Sequence, residues 1–209
     1  MEIKTIKSTW GKGQLDQNTH VIIGDKTCVV IDAGAPLSEI KKLTSLPIEA
    51  VFITHGHFDH VEYIEEYDKL GVPIYASEKL SKFLEDSQLN VSSNKTYKVK
   101  NIVPMHDGEK IECLLGFVKC FETPGHSEDS MCYILNDGAL FSGDTVFSIA
   151  VGRTDLPTGD VEELISSIER ILNLKFGSVY AGHGRISTKE EQKTNISKWI
   201  NYLRNVKTM

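Results

Sequence analysis

Short apolar runs alternate with amphipathic stretches along the chain, and their order predicts an α/β fold. In the first half, runs rich in β-branched and aromatic residues predict strands at 3–6, 19–23, 27–31, 50–54 and 72–75. Gly24 and Asp25 separate the second run from the third and favour a hairpin there. Helical spacing of apolar positions predicts helices over 36–43 and 59–70, and a short helix around Leu80.

The second half repeats this scheme of strands followed by helices. Apolar runs near residues 102, 111, 118, 133 and 140 predict strands, and a helix over 161–172 leads to a strand around Val179 and a last helix over 188–203. Residues 85–100 are polar and weakly patterned, which is typical of a surface loop or a small flap. The turn at residues 10–13 carries Trp10, which we expect in the core, with the roof of a pocket as the alternative. Strands in series with helices outside predict two sheets packed face to face, with helices on both outer surfaces.

Six residues directly after the 50–54 run, His55-Gly56-His57-Phe58-Asp59-His60, carry the densest metal-binding chemistry in the chain. On an extended chain, His55 and His57 share one face at about 6.6 Å, so their imidazoles can converge on one ion. Asp59 and His60 fall at the start of the predicted helix, turned toward a second point nearby. The cluster therefore indicates a metal site.

Three other predicted strand ends place a ligand residue beside Gly or Pro. His126 lies in Thr123-Pro124-Gly125-His126-Ser127, Asp144 lies in Phe141-Ser142-Gly143-Asp144-Thr145, and His183 lies in Gly182-His183-Gly184. Glycine allows the backbone to turn sharply at such points. Four strand ends that each deliver a metal-ligand residue favour one shared site over a chance cluster of histidines.

The order His55-x-His57-x-Asp59-His60, then His126, Asp144 and His183, resembles the metallo-β-lactamase superfamily. The stretch 143–147 (GDTVF), followed by 152–157 (GRTDLP), is similar to the glyoxalase II (hydroxyacylglutathione hydrolase) branch. The resemblance covers nearly the whole chain and implies a four-layer αββα sandwich. It also implies a short form, without the C-terminal helical domain with which the full-length enzymes grip glutathione.

The same resemblance implies two divalent metal ions. The first would be held by His55, His57 and His126, the second by Asp59, His60 and His183, and Asp144 would bridge them. The resemblance makes Asp32 a residue that hydrogen-bonds behind the ligands and orients them; the alternative is an ordinary turn former. Nitrogen-rich ligation suits zinc, with iron or manganese as alternatives.

The expected reaction is hydrolysis of a thioester such as S-2-hydroxyacylglutathione. A water shared by two cations is deprotonated near neutral pH, and this bridging hydroxide would attack the carbonyl carbon. Asp59 and Asp144 would take part in catalysis by holding the ions. A thiolate is a stable leaving group at a thiol pKa near 8.5, so a strong general acid is not required. Arg153, in the loop after Asp144, is expected to bind the carboxylate of the glutathione moiety; the alternative is an ordinary solvated or salt-bridged arginine.

Three positions depart from the pattern of the branch. Glu62 and Tyr63 replace small residues after the first motif, and Asp129 replaces a glycine after His126. We expect these departures to alter the walls of the pocket and therefore the substrate.

Two further functions remain open from the sequence. One is a mononuclear-iron persulfide dioxygenase, which keeps these motifs and uses the first metal site; the other is a non-catalytic binding module that metal stabilises. Metal content per chain separates one ion from two. β-Lactamases are disfavoured because they lack a bridging acid at the position of Asp144.

Composition narrows the partners to a small-molecule substrate. The length of 209 residues is typical of one domain over residues 1–209, with two fused halves as the alternative. A net charge of −6 without a basic cluster argues against nucleic acid. No apolar run approaches the roughly 18 residues of a membrane helix, and the N-terminus lacks the apolar core of a signal peptide. Four cysteines without CxxC spacing are typical of the reducing cytoplasm. The oligomeric state stays open.

Overall fold

The structure is a computed structural model that describes residues 1–10, 15–136 and 138–206. Its first half forms a mixed sheet whose strands lie in chain order: β1 (Glu2–Trp10), β2 (Leu15–Ile23), β3 (Cys28–Ile31), β4 (Ile48–Phe52), β5 (Ile74–Ser77) and β6 (Ile102–Met105). Strands β1 to β3 pair antiparallel, whereas β3 to β6 pair parallel. Four helices connect the parallel part: α1 (Leu37–Leu43), α2 (Phe58–Val61), α3 (Ile64–Asp68) and α4 (Leu80–Glu85).

The second half forms a second mixed sheet, again in chain order: β7 (Lys110–Cys113), β8 (Gly116–Glu122), β9 (Met131–Leu135), β10 (Ala139–Gly143), β11 (Ser178–Ala181) and β12 (Ser187–Thr188). Among the described strands of this sheet, only β10 and β11 pair parallel, and helix α5 (Val161–Asn173) connects them. Asp160 caps α5, because its carboxylate accepts hydrogen bonds from the backbone N–H groups of Glu162 and Glu163. Helix α6 (Lys189–Val206) follows β12.

Alternating side chains divide the core into three apolar layers. In β4, Val51 packs toward helices α1–α4, while the next residue, Phe52, packs between the two sheets. In β9, Tyr133 faces the other sheet, whereas its neighbour Cys132 packs toward α5 and α6. Each sheet therefore buries both faces, and the predicted four-layer αββα sandwich is confirmed.

Three expectations about elements need correction. The predicted helix over 59–70 is two short helices, because Tyr63 donates its backbone N–H to the carbonyl of Ala33 instead of continuing the helix. The run near residue 102 belongs to the first sheet as its edge strand, rather than to the second half. Trp10 is half-buried against Phe58 and Tyr63 rather than in the core. The rest of its predicted turn, at residues 11–13, lies outside the described residues.

The outer elements differ from expectation mainly in length. The first strand extends to Trp10 because nine of its residues pair with β2. The last helix begins at Lys189 and ends at Val206, after the short strand β12. None of the helices in the described part of the chain combines the length and apolar character needed to cross a bilayer.

Candidate metal centre

Loops that follow four strands bring the seven predicted ligand residues together. His55, His57, Asp59 and His60 follow β4 in the first sheet. The other three follow strands of the second sheet: His126 follows β8, Asp144 follows β10 and His183 follows β11. The site therefore draws ligands from both halves of the chain.

Three imidazoles form a first group. Nε2 of His55 lies 3.1 Å from Nδ1 of His57, and Nε2 of His126 lies 2.9 Å from the same atom. Their ligand atoms all lie within 4.8 Å of one another. Nitrogens that bind one zinc ion at about 2.0–2.1 Å can lie at most about 4 Å apart, so these contacts are compatible with a shared ion.

A second group combines a carboxylate with two imidazoles. Nε2 of His183 lies 3.4 Å from Oδ2 of Asp59, and His60 completes this group within the same 4.8 Å limit. Asp144 faces both groups, with Oδ1 3.2 Å from Nε2 of His60 and Oδ2 3.6 Å from Nε2 of His126. A carboxylate in this position can span two ions, which lie about 3.5–4 Å apart in two-metal sites.

Unpartnered atoms test whether these residues fit metal ions. Nε2 of His60 and Oδ1 of Asp144 are buried, and their geometry makes no hydrogen bond to each other or to any other described atom. Buried polar atoms are nearly always hydrogen-bonded. Burying these two atoms without partners therefore costs free energy unless a cation lies between them. The donor set of imidazoles and carboxylates therefore fits divalent metals.

Hydrogen bonds on the far side orient four of the five imidazoles. Nδ1 of His55 lies 3.1 Å from Oγ1 of Thr54, and Nδ1 of His60 lies 2.8 Å from Oδ2 of Asp32. Nδ1 of His126 and Nδ1 of His183 donate to the backbone carbonyls of Arg153 and Asp16, respectively. Such partners fix the ring tautomer and leave the other nitrogen free for a metal.

Asp32 is placed behind the ligands in a strained conformation. It is buried, with φ at 64°, a left-handed value that is uncommon for residues other than glycine. Its carboxylate accepts from the backbone N–H of Thr54 at 2.7 Å and from Oγ1 of Thr54 at 3.0 Å, in addition to its contact with His60. Strain of this kind persists where the surroundings demand it, which supports an orienting role.

Two glycines leave room for the ligands. A Cβ on Gly182 would lie 2.3 Å from Oδ1 of Asp144 and 2.5 Å from Cε1 of His60. Gly143, with φ at 48°, lies so close to Thr54 that a Cβ would come within 2.6 Å of it. The glycines beside His183 and Asp144 are thus required by close approach as well as by the turn.

Charge distribution distinguishes the two groups. Burial, with His126 nearby, lowers the pKa of His57 to about 3, and burial together with neighbouring imidazoles lowers the pKa of His55 well below its usual value. Burial also opposes the charge on His60, but the carboxylates of Asp32 and Asp144 outweigh it and raise the His60 pKa. Asp144 likewise outweighs burial at His183 and raises the pKa of that residue to about 10. Without a cation, His55 and His57 are therefore neutral, whereas His60 and His183 carry protons that a cation would replace.

A cleft of about 430 Å³ opens over these ligands. Its walls include one cationic side chain, Arg153, and five apolar ones: Phe58, Val91, Phe147, Val151 and Leu156. Val91 comes from the 85–100 segment, which in the structure is a loop whose buried Asn90 accepts the N–H of Phe58 at 2.8 Å. The expected surface loop therefore contributes to the site.

The three departures from the family pattern are not among the residues that line the described cleft, so an effect on its walls would be indirect. Glu62 pairs with Lys95 at 2.6 Å and accepts from the hydroxyl of Tyr97 at 3.0 Å, which fixes the 85–100 loop. Asp129 is buried behind the first group, where its carboxylate accepts from the N–H of Gly56 at 2.8 Å. It therefore connects the His126 loop to the turn between His55 and His57.

Arg153 lines the cleft, but its guanidinium is already paired. Its Nε and Nη2 donate to the two carboxylate oxygens of Asp155, both at 2.6 Å, and this pair lies exposed to solvent. The pairing raises the pKa of Arg153 and lowers that of Asp155 to about 2, so both groups are charged. A ligand in the cleft would therefore have to compete with Asp155 for the guanidinium of Arg153.

Helix α6 holds the loop after Asp144 through three consecutive carbonyls. Gln192 donates to the carbonyl of Phe147 at 2.8 Å, and the next two carbonyls, those of residues 148 and 149, accept from Asn195 at 2.6 Å and from Trp199 at 2.9 Å. Sequence reasoning missed these contacts, although donors at 192, 195 and 199 share one face of a helix. The spacing of these donors was visible in the sequence, but the backbone carbonyls that accept from them were not.

Comparison with known protein families identifies the superfamily of the chain. The family model described as the metallo-beta-lactamase superfamily matches residues 13–183. A "probable metallo-hydrolase" of Methanocaldococcus jannaschii, MJ0888, is 35% identical, with 82% of this chain and 89% of that protein covered. The "probable metallo-hydrolase" YqgX of Bacillus subtilis is 33% identical over 82% of this chain and 87% of its own length. The "hydroxyacylglutathione hydrolase GloC" of Haemophilus influenzae is 32% identical over 85% and 90%, respectively.

Solved structures share the fold. The "BLEG-1 B3 metallo-beta-lactamase" is 30% identical and superposes with a TM-score of 0.79, covering 92% of this chain and 97% of that one. TTHA1623, solved "in a di-iron-bound form", is 26% identical with a TM-score of 0.72, covering 91% and 98%. Both similarities extend over nearly the whole of each chain.

Proposed function

The chain belongs to the metallo-beta-lactamase superfamily, and we propose that it is a dinuclear metal-dependent hydrolase of thioesters. The observation that carries the proposal is the pair of ligand groups that face Asp144 from two sides. We take His55, His57 and His126 as ligands of one ion and Asp59, His60 and His183 as ligands of the other. Asp144 is the bridging ligand, and Asp32 orients His60.

Two cations in this site would supply Lewis acidity and an activated water nucleophile. The imidazoles of His55 and His57 are neutral and offer lone pairs, while Asp59 and Asp144 place negative charge where two cations would lie. Hydrogen bonds with Thr54, and from ring N–H groups to Asp32 and to two backbone carbonyls, keep the rings in place. The chain's contribution is therefore a preorganised, partly desolvated site.

The cleft supports a thioester over an amide or an ordinary ester. Apart from the proposed ligands, the ionisable side chain among the described lining residues is Arg153, whose pKa is raised by Asp155. An amine or alkoxide leaving group needs a proton donor, and an arginine does not act as one. A thiolate, with a thiol pKa near 8.5, leaves without such help.

Glutathione is the thiol that we propose for the substrate, as in S-2-hydroxyacylglutathione. The similarity to a protein named hydroxyacylglutathione hydrolase supports this, and Arg153 in the cleft wall is the proposed partner of a glutathione carboxylate. For the metals we propose zinc, which the imidazole-rich donor set suits, with iron as the alternative that the di-iron form of TTHA1623 supports.

The test combines metal analysis with turnover. Mass spectrometry should find two ions per chain, and the loaded protein should hydrolyse S-lactoylglutathione. One iron per chain together with oxygen uptake on glutathione persulfide would instead favour a persulfide dioxygenase. Two ions without turnover of any thioester would favour a non-catalytic module, and faster hydrolysis of the β-lactam nitrocefin than of thioesters would overturn the proposal.

A further inference from the structure

The apolar side chains of the cleft are the part of the site that thioester chemistry alone does not explain. Phe58, Val91, Phe147 and Leu156 are each half-buried, so they present apolar surface to the cleft although none completes a core layer. Val151 is buried beside them. An apolar cleft with few polar groups is what a site for an apolar ligand group requires.

Val91 reaches the cleft in a conformation that its residue type disfavours. Its φ is 59°, and a β-branched residue in the left-handed region is a genuine outlier that costs about 1–3 kcal/mol. The preceding Asn90 is fully buried and holds the turn, with its carbonyl accepting from Phe58 and its side chain bonded to Lys95 and Ser92. A glycine or asparagine would fit this turn without strain, so the valine side chain itself calls for an explanation at the cleft.

Phe147 is a second wall residue, and its backbone is also held by hydrogen bonds. Its ring meets the imidazole of His183 edge to face, with ring centroids 5.8 Å apart. Its carbonyl is the first of the three that helix α6 binds through Gln192, Asn195 and Trp199. The wall is therefore fixed relative to the ligands rather than free to retreat from a substrate.

We propose that these walls bind the acyl group of the substrate and that the protein prefers thioesters with apolar acyl chains to 2-hydroxyacyl thioesters. This inference rests on the proposed function and specifies the acyl group of the substrate. The proposed role of Arg153 concerns the thiol part of the substrate. In the reaction, the oxygen of water bonds to the carbonyl carbon, the C–S bond breaks, and the sulfur leaves with the electron pair and becomes the free thiol on protonation. The carboxylic acid that remains carries the apolar chain.

The first experiment keeps the thiol constant and varies the acyl group. Acetyl, butyryl, hexanoyl and lactoyl thioesters of glutathione are compared by kcat/KM on the metal-loaded protein. Each buried CH2 contributes up to about fourfold, so kcat/KM should rise from acetyl to hexanoyl, with lactoyl below butyryl. A flat series, or a preference for lactoyl, would overturn the inference while leaving thioester hydrolysis intact.

A second measurement does not depend on turnover. Acetate, butyrate and hexanoate, the products of the series, are titrated into the metal-loaded protein by calorimetry. Affinity should increase with chain length if the walls bind the acyl group, and equal affinities would contradict the inference. If no thioester were hydrolysed, the proposed function would fail, and this titration would still decide whether the cleft binds apolar chains.

Matched variants locate the effect. Val91→Thr keeps the shape of the side chain and adds a hydroxyl, which should reduce kcat/KM for the hexanoyl thioester by about fivefold or more and for the acetyl thioester by less. Val103→Thr, on edge strand β6 and 38% exposed, is the control and should leave the whole series unchanged. If Val91→Thr lowered every substrate equally, Val91 would support the loop rather than contact the acyl chain, and the inference would be wrong.

Discussion

The two groups of ligands at this site differ in how they are protected. His55, His57 and His126 are nearly inaccessible to solvent, and burial lowers the pKa values of His55 and His57. In the second group, the side chain of His183 is 19% exposed, and negative charge from Asp59 and Asp144 dominates. The first group is thus a buried site of three nitrogens, whereas the second combines carboxylate charge with one partly exposed ligand, His183. Changes to each should therefore have different consequences.

The largest effect is expected where the two groups meet. Asp144→Asn removes the negative charge that faces both, and an amide bridges two cations poorly. We expect the loss of one ion and a decrease in kcat of at least about a hundredfold. Metal analysis and steady-state kinetics check this, with Asp25→Asn on an exposed turn as the control. Two retained ions and full turnover would show that Asp144 does not bridge.

A smaller effect is expected from opening the second group alone. His183→Ala should empty mainly the second site and lower its metal affinity by at least about tenfold, because a direct ligand is worth no less than an outer partner. The first ion should remain, since none of its three imidazoles is changed. Metal stoichiometry and competition with a chelator measure this, and His106→Ala, an exposed histidine, is the matched control. Loss of both ions together would mean that the two groups are not separate.

Arg153 contacts the first group through its backbone carbonyl, while its side chain lines the cleft, so a side-chain substitution separates the two roles. Arg153→Ala keeps the carbonyl that holds His126, so metal content should not change. A charge-assisted hydrogen bond contributes about 1.5–3 kcal/mol, and competition from Asp155 favours the lower end, about tenfold in kcat/KM, mostly through KM. Arg204→Ala removes another exposed arginine paired with a carboxylate and is the control. An equal loss on a thioester without glutathione would show that Arg153 holds the loop instead.

The smallest effect concerns Asp129, which supports the first group alone. Burial raises its pKa to about 7, above the 3.9 or so of an unfolded aspartate. Between about pH 4 and 7 the folded protein therefore holds a proton that the unfolded chain has lost, and this contribution to stability declines as the pH rises. Asp129→Asn should reduce the decline, measured as the difference in urea unfolding between variant and wild type at pH 5.5, 6.5 and 7.5. A difference that stayed constant with pH would mean that Asp129 does not titrate in this range.

Much of the fold follows from local pattern. Alternation such as Val51 and Phe52 requires a strand with two buried faces, and four-layer order follows once helices are placed outside. The helix over 59–70 was wrong because a tertiary bond from Tyr63 to Ala33 interrupts it, and periodicity carries no information about such a partner. The presence of the strands and helices was therefore predictable, whereas the interruption of a helix depended on contacts with distant parts of the chain.

The candidate site divides in the same way. Its ligand residues could be named because their types and spacing are local, and the structure brings all seven together. The outer hydrogen bonds to Asp16 and Arg153 involve backbone carbonyls, which have no sequence signature. Asp129 was noticed as a departure, but its place behind Gly56 depends on how two distant loops pack. The role of Val91 could not be predicted, because its left-handed backbone conformation is not apparent from its residue type.

The division of ligands between the two halves of the chain has a consequence for assembly. Residues 55–60 follow the first sheet and residues 126, 144 and 183 follow the second, so neither half can complete either ligand group as proposed. A cation that binds only the assembled form stabilises it by mass action, by about 2.7 kcal/mol at a free concentration one hundred times its Kd. The metal would thus connect the two halves of the chain, and the melting temperature should rise with metal concentration.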